Sequence, residues 1–311
     1  MSRDALIFFS DFDDTEVWKK TLLSELPDLD FRADPSAGDP ADVRYALVWK
    51  PPSGFFARFP NLALVTNLGA GVDSLVGRND LPDVPISRLS DNGMVSLMTS
   101  YVMFSVIRYA RDIHIFERAQ RRGEWHYVHP RALSDIKVGV LGLGELGAPA
   151  AKALAGLGFD VRGWSRSEKT IEGVQCSAGR DTFDGFLSEI EILVVMLPLT
   201  ADTRGLLDER RLSLLPKGAK LINASRGAVV DEAALIAALQ SGQIAEATLD
   251  VFTVEPLPAG HAFWRMDNVL ITPHLASITI PEAAAREVAE SIRRVRKGLP
   301  PLHQINPRRG Y

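Results

Sequence analysis

Short apolar runs rich in branched and aromatic residues alternate along this chain with longer stretches of helical period, a pattern that predicts βαβ units around a parallel sheet. In the first hundred residues, Leu6–Phe9, Tyr45–Trp49, Leu62–Thr66 and Ile86–Leu89 read as short strands separated by Pro-rich joints. From Val95 to Arg122 there is neither Pro nor Gly, and Val102, Val106, Tyr109, Ile113 and Phe116 recur at helical spacing, which predicts one long helix. Beyond a loop with Trp125 and Pro130, six buried strands follow: Val138–Leu141, Asp160–Trp164, Ile192–Leu197, Ala219–Ile222, Ala247–Val251 and Val269–Ile271. Helices separate most of them, which suits a doubly wound domain. A last helix is expected from Pro281 to Lys297, before a tail containing Pro and Arg.

Composition narrows the class. A chain of 311 residues exceeds what one compact core usually holds, so two modest domains are expected. With 46% hydrophobic and 24% charged residues it is too apolar to be disordered. Lys plus Arg number 35 against 39 Asp plus Glu, a formal charge of -4, which leaves no basic field for nucleic acid. The longest apolar stretch, Ile192 to Leu199, is far below the roughly 20 residues that cross a bilayer, and Pro198 interrupts it, so no membrane span is expected. The run Ala5 to Phe9 is too short for a signal-peptide core and leads into Asp11, Asp13, Asp14 and Glu16. Without export the acceptor-like triplet Asn223-Ala224-Ser225 has no meaning. Cys176 is the one cysteine, so no internal disulfide or multi-thiolate metal site is possible, no metal is expected, and a reducing cytoplasm fits.

The first chemical signal is glycine. The strand Lys137-Val138-Gly139-Val140-Leu141 feeds into Gly142-Leu143-Gly144-Glu145-Leu146-Gly147 and then an Ala-rich helix, so a GxGxxG motif stands in the strand-turn-helix context that dinucleotide binding requires. Gly142 permits the tight turn, Gly144 lets backbone approach a pyrophosphate, and Gly147 allows helix to pack on strand; glycines also mark plain turns. An NAD-specific site would carry Asp or Glu about 20 residues further on, to accept bonds from the ribose 2′-hydroxyl. That place here reads Gly163-Trp164-Ser165-Arg166-Ser167. Arg166 can hold a 2′-phosphate with a bidentate fork while Ser165 and Ser167 donate hydroxyls, which points to NADPH (NADP). A solvated basic turn is the alternative.

Three residues then sit at the carboxyl ends of later strands, where an open α/β sheet places its ligands. Arg226 lies in Asn223-Ala224-Ser225-Arg226-Gly227, Glu255 in Asp250-Val251-Phe252-Thr253-Val254-Glu255-Pro256-Leu257, and His274 in Ile271-Thr272-Pro273-His274. Each alone is bland, a surface ion pair or a satisfied polar contact. Their recurrence at successive strand ends beyond a GxGxxG is specific. A hydride arriving at a keto carbon leaves charge on oxygen, which needs a cation beside it and a proton donor in reach.

With these segments, and with Tyr45-Ala46-Leu47-Val48-Trp49, Leu68-Gly69-Ala70-Gly71-Val72-Asp73-Ser74 and Arg309-Gly310-Tyr311, nearly the whole chain resembles the D-2-hydroxyacid dehydrogenases. The resemblance implies a Rossmann dinucleotide domain (residues 99–275) inserted in a smaller flavodoxin-like α/β substrate domain (1–98 and 276–311), with the cleft between them. It implies that Arg226 grips the substrate carboxylate and polarises the keto oxygen, that His274 is the acid/base, and that Glu255 orients and charges it. The cofactor set would be Gly142, Gly144, Glu145, Leu146, Gly147, Ser165, Arg166, Ser167, Pro198, Thr200, Ala224 and Asp250, with Asp250 on the nicotinamide amide or, equally, a strand-end cap. Trp49, Gly69, Ala70, Gly71 and Met94 would line the substrate site with Arg226, the glycine loop presenting N–H groups to the carboxylate. The implied reaction is reduction of a small 2-keto acid, of the glyoxylate or hydroxypyruvate type, to a D-2-hydroxy acid. The implied assembly is a homodimer formed through the long helix and the arm after it, which Gly123-Glu124-Trp125 match. Trp264 also matches a family position, although a buried core Trp explains it as well.

One segment departs from the pattern: Leu97-Met98-Thr99-Ser100-Tyr101 stands where many members carry an acidic residue, which leaves substrate preference open. Two rival functions remain. The opening Ile7-Phe8-Phe9-Ser10-Asp11-Phe12-Asp13-Asp14-Thr15 resembles the DxDxT signature of aspartate-nucleophile phosphatases, but no later Lys and acidic pair complete such a site, and a solvated acidic loop explains it. A non-catalytic nucleotide-sensing or co-repressor scaffold would share the fold yet could dispense with the Arg, Glu and His set.

Overall fold

The computed structural model describes residues 4–306. The chain divides into two compact units, one of the residues up to Met94 together with those from Ile278 on, the other Val95–Ser277. The elements in chain order begin with β1 (Ala5–Phe9), α1 (Thr15–Glu25), β2 (Asp30–Arg32), β3 (Val43–Val48), β4 (Leu64–Asn67) and β5 (Ile86–Arg88). Two helices follow, α2 (Asn92–Ala110) and α3 (Ile113–Arg121). Next come β6 (Lys137–Leu141), α4 (Gly147–Gly156), β7 (Asp160–Ser165), β8 (Val174–Ala178), α5 (Phe183–Leu187) and β9 (Ile192–Val195). The series ends with α6 (Glu209–Leu214), β10 (Ala219–Asn223), α7 (Glu232–Ser241), β11 (Ile244–Leu249), β12 (Val269–Ile271) and α8 (Pro281–Arg296).

In the first unit five parallel strands run in the order β2-β1-β3-β4-β5, the flavodoxin-like winding. Parallel strands are covered on both faces, which is why Ala5, Ile7, Val43, Ala46, Val48 and Val65 are fully buried together with Phe55, Phe56 and Phe59. Helix α8 buries Ala284, Ala285, Val288, Ala289 and Ile292, a stripe at helical spacing made by its small residues. Helix α1 starts where the Asp14 carboxylate accepts from the amides of Glu16 and Val17, and it buries Trp18 and Leu22. Asp13 accepts from the Ser10 hydroxyl and the Trp18 indole. The acidic opening is thus a helix start with structural work for two of its carboxylates.

The second unit is the doubly wound sheet expected from the sequence, but with seven strands rather than six, in the order β12-β11-β10-β9-β6-β7-β8. All are parallel. Winding reverses between β6 and β9, and this switch point is where such sheets open a crevice at their carboxyl ends. Two apolar layers, one around Leu193, Leu221 and Leu249 and the other around Val138, Ile192 and Ile222, cover its faces.

The structure corrects several expectations. Strands β2 and β8 were not foreseen, because both are edge strands of half-exposed, mixed residues with no apolar run to reveal them. The single long helix is two. It begins at Asn92, where Asp91 accepts from the amides of Gly93 and Met94, and it breaks at Asp112, whose φ of 54° is left-handed. Asp tolerates that conformation better than most residues. Across the break the His114 ring packs edge-on against Tyr109 at 5.4 Å and Arg108 pairs with Glu117. Trp264 is not a core residue: it is half exposed, with its indole N–H donating to the Pro258 carbonyl. The terminal Arg309-Gly310-Tyr311 lies outside the described residues.

Burial lowers the pKa of His114 below its usual value against the opposing pull of Glu246, with Arg118 and Arg108 adding to the lowering. The unfolded chain therefore takes up this proton at higher pH than the folded one, so stability falls as pH drops below about 6.5. Urea unfolding as a function of pH is expected to show a steeper acid-side loss in the wild type than in His114→Gln; parallel curves contradict it.

Candidate active site

The cofactor and catalytic residues singled out from sequence lie at the carboxyl ends of the second unit's strands and in the loops that follow them. After β6 the chain turns at Gly142, whose φ of 109° favours glycine and whose amide donates to the Trp164 carbonyl at 2.8 Å. A Cβ on Gly142 would lie 2.8 Å from the backbone of Met196 beyond β9, and one on Gly147 would lie 1.9 Å from the Gly142 carbonyl oxygen. Both glycines are required by the turn itself. Gly144 is different: a Cβ there meets nothing within 4 Å, so no protein atom accounts for its bare backbone. The first turn of α4 has no side-chain cap, and the helix dipole favours an anion at that end. This open backbone before an uncapped helix fits a pyrophosphate.

At the end of β7 the Ser165 hydroxyl, buried, donates to the Ser167 carbonyl at 2.6 Å and closes a turn that leaves Arg166 and Ser167 exposed. After β9, Thr203 Oγ1 donates to the Pro198 carbonyl at 2.6 Å and accepts from the Thr200 amide at 2.8 Å, fixing the loop that carries Pro198 and Thr200.

The next three strand ends are neighbours in the sheet. Beyond β10, the buried Asn223 carboxamide accepts from the amide and hydroxyl of Ser225 and donates to the Arg226 carbonyl at 3.1 Å. A Cβ on Gly227 would lie 2.0 Å from the Phe252 backbone, so this loop is held hard against the segment after β11. Arg226 Nη1 donates to the Ser225 carbonyl at 2.8 Å. Beyond β11, Glu255 accepts from the Phe252 amide through Oε1 at 3.1 Å, and its Oε2 stands 2.9 Å from His274 Nδ1. Beyond β12, His274 has a φ of 56°, a left-handed conformation for a residue with a side chain, and its amide donates to the Asp250 carbonyl at 2.8 Å.

Asp250 is fully buried and serves as the strand-end cap. Its carboxylate accepts from the Thr272 hydroxyl at 2.6 Å and from the amides of Leu275 and Ala276 at 2.9 Å each. Thr272 Oγ1 also lies 2.7 Å from the Tyr101 hydroxyl, whose pKa burial pushes well above the usual phenol value. Asn223, Gly227 and Tyr101 were not among the residues singled out from sequence; Gly227, directly after Arg226, carried the one usable signal.

In the first unit, the Trp49 ring lies against Gly69, where a Cβ would come within 2.7 Å of it. Ala70 and Gly71 are half-buried in the same turn, and Met94 is buried at the start of α2. Among the described residues, no three His, Cys, Asp or Glu side chains come together to hold a metal, and no helix is long and apolar enough to cross a membrane.

Residues 103–276 match the model of the D-isomer specific 2-hydroxyacid dehydrogenase NAD-binding domain. The chain belongs to the D-isomer specific 2-hydroxyacid dehydrogenase family. Among curated dehydrogenases it is similar to glyoxylate/hydroxypyruvate reductase A of Serratia proteamaculans, 41% identical over 98% of this chain and 99% of that protein. Among solved dehydrogenases it is similar to one from Xanthobacter autotrophicus in complex with NADPH and MES, 63% identical with a TM-score of 0.96 over 99% of this chain and 100% of that one. It is also similar to an NADPH-dependent glyoxylate/hydroxypyruvate reductase from Sinorhizobium meliloti in complex with NADP and sulfate, 35% identical with a TM-score of 0.93 over 99% and 100% of the two chains.

The glycine turn of this dehydrogenase yields a contrast. Gly147→Ala is expected to destabilise the fold by about 1–3 kcal/mol through overpacking, whereas Gly144→Ala should stay within about 0.5 kcal/mol of wild type. Denaturant unfolding of both variants checks it, and equal losses contradict it.

Proposed function

We propose that this protein is an NADPH-dependent reductase of small 2-keto acids, of the glyoxylate and hydroxypyruvate type, giving D-2-hydroxy acids. The observation that carries the reading is the His274 imidazole, held at its Nδ1 by Glu255 at 2.9 Å at the end of a strand next but one to the one that carries Arg226. The names and bound cofactors of the relatives support the same chemistry.

The role of bound NADPH is to supply the hydride; every other function belongs to the chain. Gly142, Gly144, Glu145, Leu146 and Gly147 would hold the pyrophosphate, with Arg166, Ser165 and Ser167 at the 2′-phosphate and Pro198, Thr200 and Ala224 along the rest. As hydride adds to C2 of the keto acid, the keto oxygen gains negative charge. The Arg226 guanidinium polarises that oxygen and grips the carboxylate. With Nδ1 turned to Glu255, the opposite ring nitrogen of His274, Nε2, is the one that hands a proton to the oxygen. Glu255 fixes the ring and offsets the charge of the imidazolium. Trp49, Gly69, Ala70, Gly71 and Met94 are proposed to bind the substrate. The strand-end cap of Asp250 leaves little of its carboxylate for the nicotinamide, so its role is chiefly to position His274.

A homodimer is part of the proposal; the apolar surface on α2 and α3, where Phe104, Ile107 and Ile113 are exposed, and the segment after them, where Trp125 is fully exposed and Tyr127 largely so, support it. With one cysteine and a reduced nicotinamide as cofactor, the cytoplasm is the fitting compartment.

Steady-state oxidation of NADPH with glyoxylate, hydroxypyruvate and bulkier 2-keto acids tests the reading, and no turnover with any of them overturns it in favour of a sensor. His274→Ala is expected to lower kcat by roughly 100-fold or more with little change in keto-acid KM, whereas Arg226→Ala lowers kcat and raises KM together. Near-wild-type turnover in His274→Ala contradicts the assignment. For cofactor choice, Arg166→Ala should raise KM for NADPH by roughly tenfold while leaving KM for NADH nearly unchanged. Equal effects on both refute the phosphate role.

A further inference from the structure

The turn that follows β4 in the first unit has an unusual property: all four of its successive carbonyls are held by side chains. The Leu68 carbonyl accepts from the Thr279 hydroxyl. The carbonyls of Gly69 and Gly71 both accept from one nitrogen, Asn67 Nδ2, at 2.9 Å each. The Ala70 carbonyl accepts from Arg88 Nη1 at 3.2 Å. A trans peptide points its C=O and the following N–H in opposite directions. Fixing these carbonyls therefore fixes the N–H groups of Gly69, Ala70, Gly71 and Val72. Because Gly69 and Gly71 aim their carbonyls at the same buried nitrogen, the amides of Ala70 and Val72 are both directed away from Asn67, side by side. Two amides directed to the same side can both donate to one carboxylate.

The Asn67 side chain is wholly buried, and its Oδ1 has no hydrogen-bond partner, an orphaned acceptor that native structures rarely tolerate. What retains a carboxamide there is its pair of donated bonds. We propose that Asn67, with Thr279 and Arg88, forms a set of positioning residues that fixes the amide directions of this turn and thereby sets the affinity for the carboxylate of the keto acid. The proposal rests on the keto-acid reading above, in which the amides of this turn meet the substrate carboxylate, and adds to it the three side chains that set the directions of those amides. Thr279 Oγ1 also lies 3.8 Å from the Met94 sulfur, so the same hydroxyl links this turn to the first turn of α2.

The test uses the full-length protein and oxalate, a dicarboxylate that mimics the keto acid and is not turned over. Oxalate affinity is measured by calorimetry with NADP present, and KM and kcat are measured with glyoxylate and NADPH. Asn67→Asp keeps the shape but places a carboxylate oxygen against two carbonyls. It should weaken oxalate binding and raise glyoxylate KM by roughly tenfold or more, with kcat and the KM for NADPH changed by less than about twofold. Thr279→Val should weaken oxalate binding several-fold, and Thr279→Ser, which keeps the hydroxyl, should restore it. A residue that merely held the fold would lower the unfolding temperature without this split between substrate and cofactor. If Asn67→Asp does not fold, the Thr279 pair decides, and equal oxalate affinity in Thr279→Val and Thr279→Ser overturns the proposal. Wild-type protein that neither binds oxalate nor reduces glyoxylate refutes the keto-acid reading and the proposal together. Wild type that binds, with the variants unchanged, refutes the proposal alone.

Discussion

The second unit depends on one buried carboxylate. Asp250 stands at the end of β11 with its amide on the Asn223 carbonyl at 3.0 Å, its own carbonyl on the His274 amide, and its side chain on Thr272, Leu275 and Ala276. A charge taken out of water is tolerated when strong donors surround it, and here three do. In return the ends of β10, β11 and β12 are bound into one rigid piece. That rigidity is what sustains His274 in a left-handed backbone conformation, a strain of order 1–3 kcal/mol for a residue with a side chain. The ring then meets Glu255, whose other oxygen is occupied by the Phe252 amide. An imidazole so tethered presents a single nitrogen outward, which is the property proton transfer needs.

The two sheets solve the same problem at their carboxyl ends with the same device. In each, a short polar side chain at the last residue of a strand, Asn67 on β4 and Asn223 on β10, folds back onto the carbonyls of the loop that follows. Loops without secondary structure of their own acquire a defined backbone this way, and functional groups can then be carried on them without loss of precision. Glycine enters where packing demands it, at Gly147 against Gly142 and at Gly227 against Phe252, and of the three glycines in the cofactor turn Gly144 is the one with open space in front of it.

Much of this was legible in the sequence because it is local. The α/β class follows from the spacing of apolar runs, and the cofactor turn from glycines between a strand and a helix. What escaped notice is the structure that depends on distant partners. Strands β2 and β8 carry no apolar run because they lie at sheet edges. The break at Asp112 has no Pro or Gly to announce it, and is fixed instead by Tyr109 packing on His114 and by Arg108 reaching Glu117. The strand-end cap of Asp250 and the carbonyl clamp of Asn67 arise from strand ends that meet only in the folded sheet. Arg226, Glu255 and His274 stood out by their recurrence at strand ends; the Glu255 to His274 hydrogen bond is local to the second unit, yet its geometry could be read only from coordinates.

The central claim is that these strand ends serve a hydride transfer to a 2-keto carbon with protonation on its oxygen. The most direct test is to supply NADPH stereospecifically deuterated at C4 on each face in turn, together with glyoxylate or hydroxypyruvate, and to analyse the product by mass spectrometry and chiral chromatography. The account predicts that one of the two labelled cofactors delivers its deuterium quantitatively to C2, and that hydroxypyruvate yields the D-2-hydroxy acid alone. A product free of deuterium with both cofactors, a racemic product, or no product at all would contradict it.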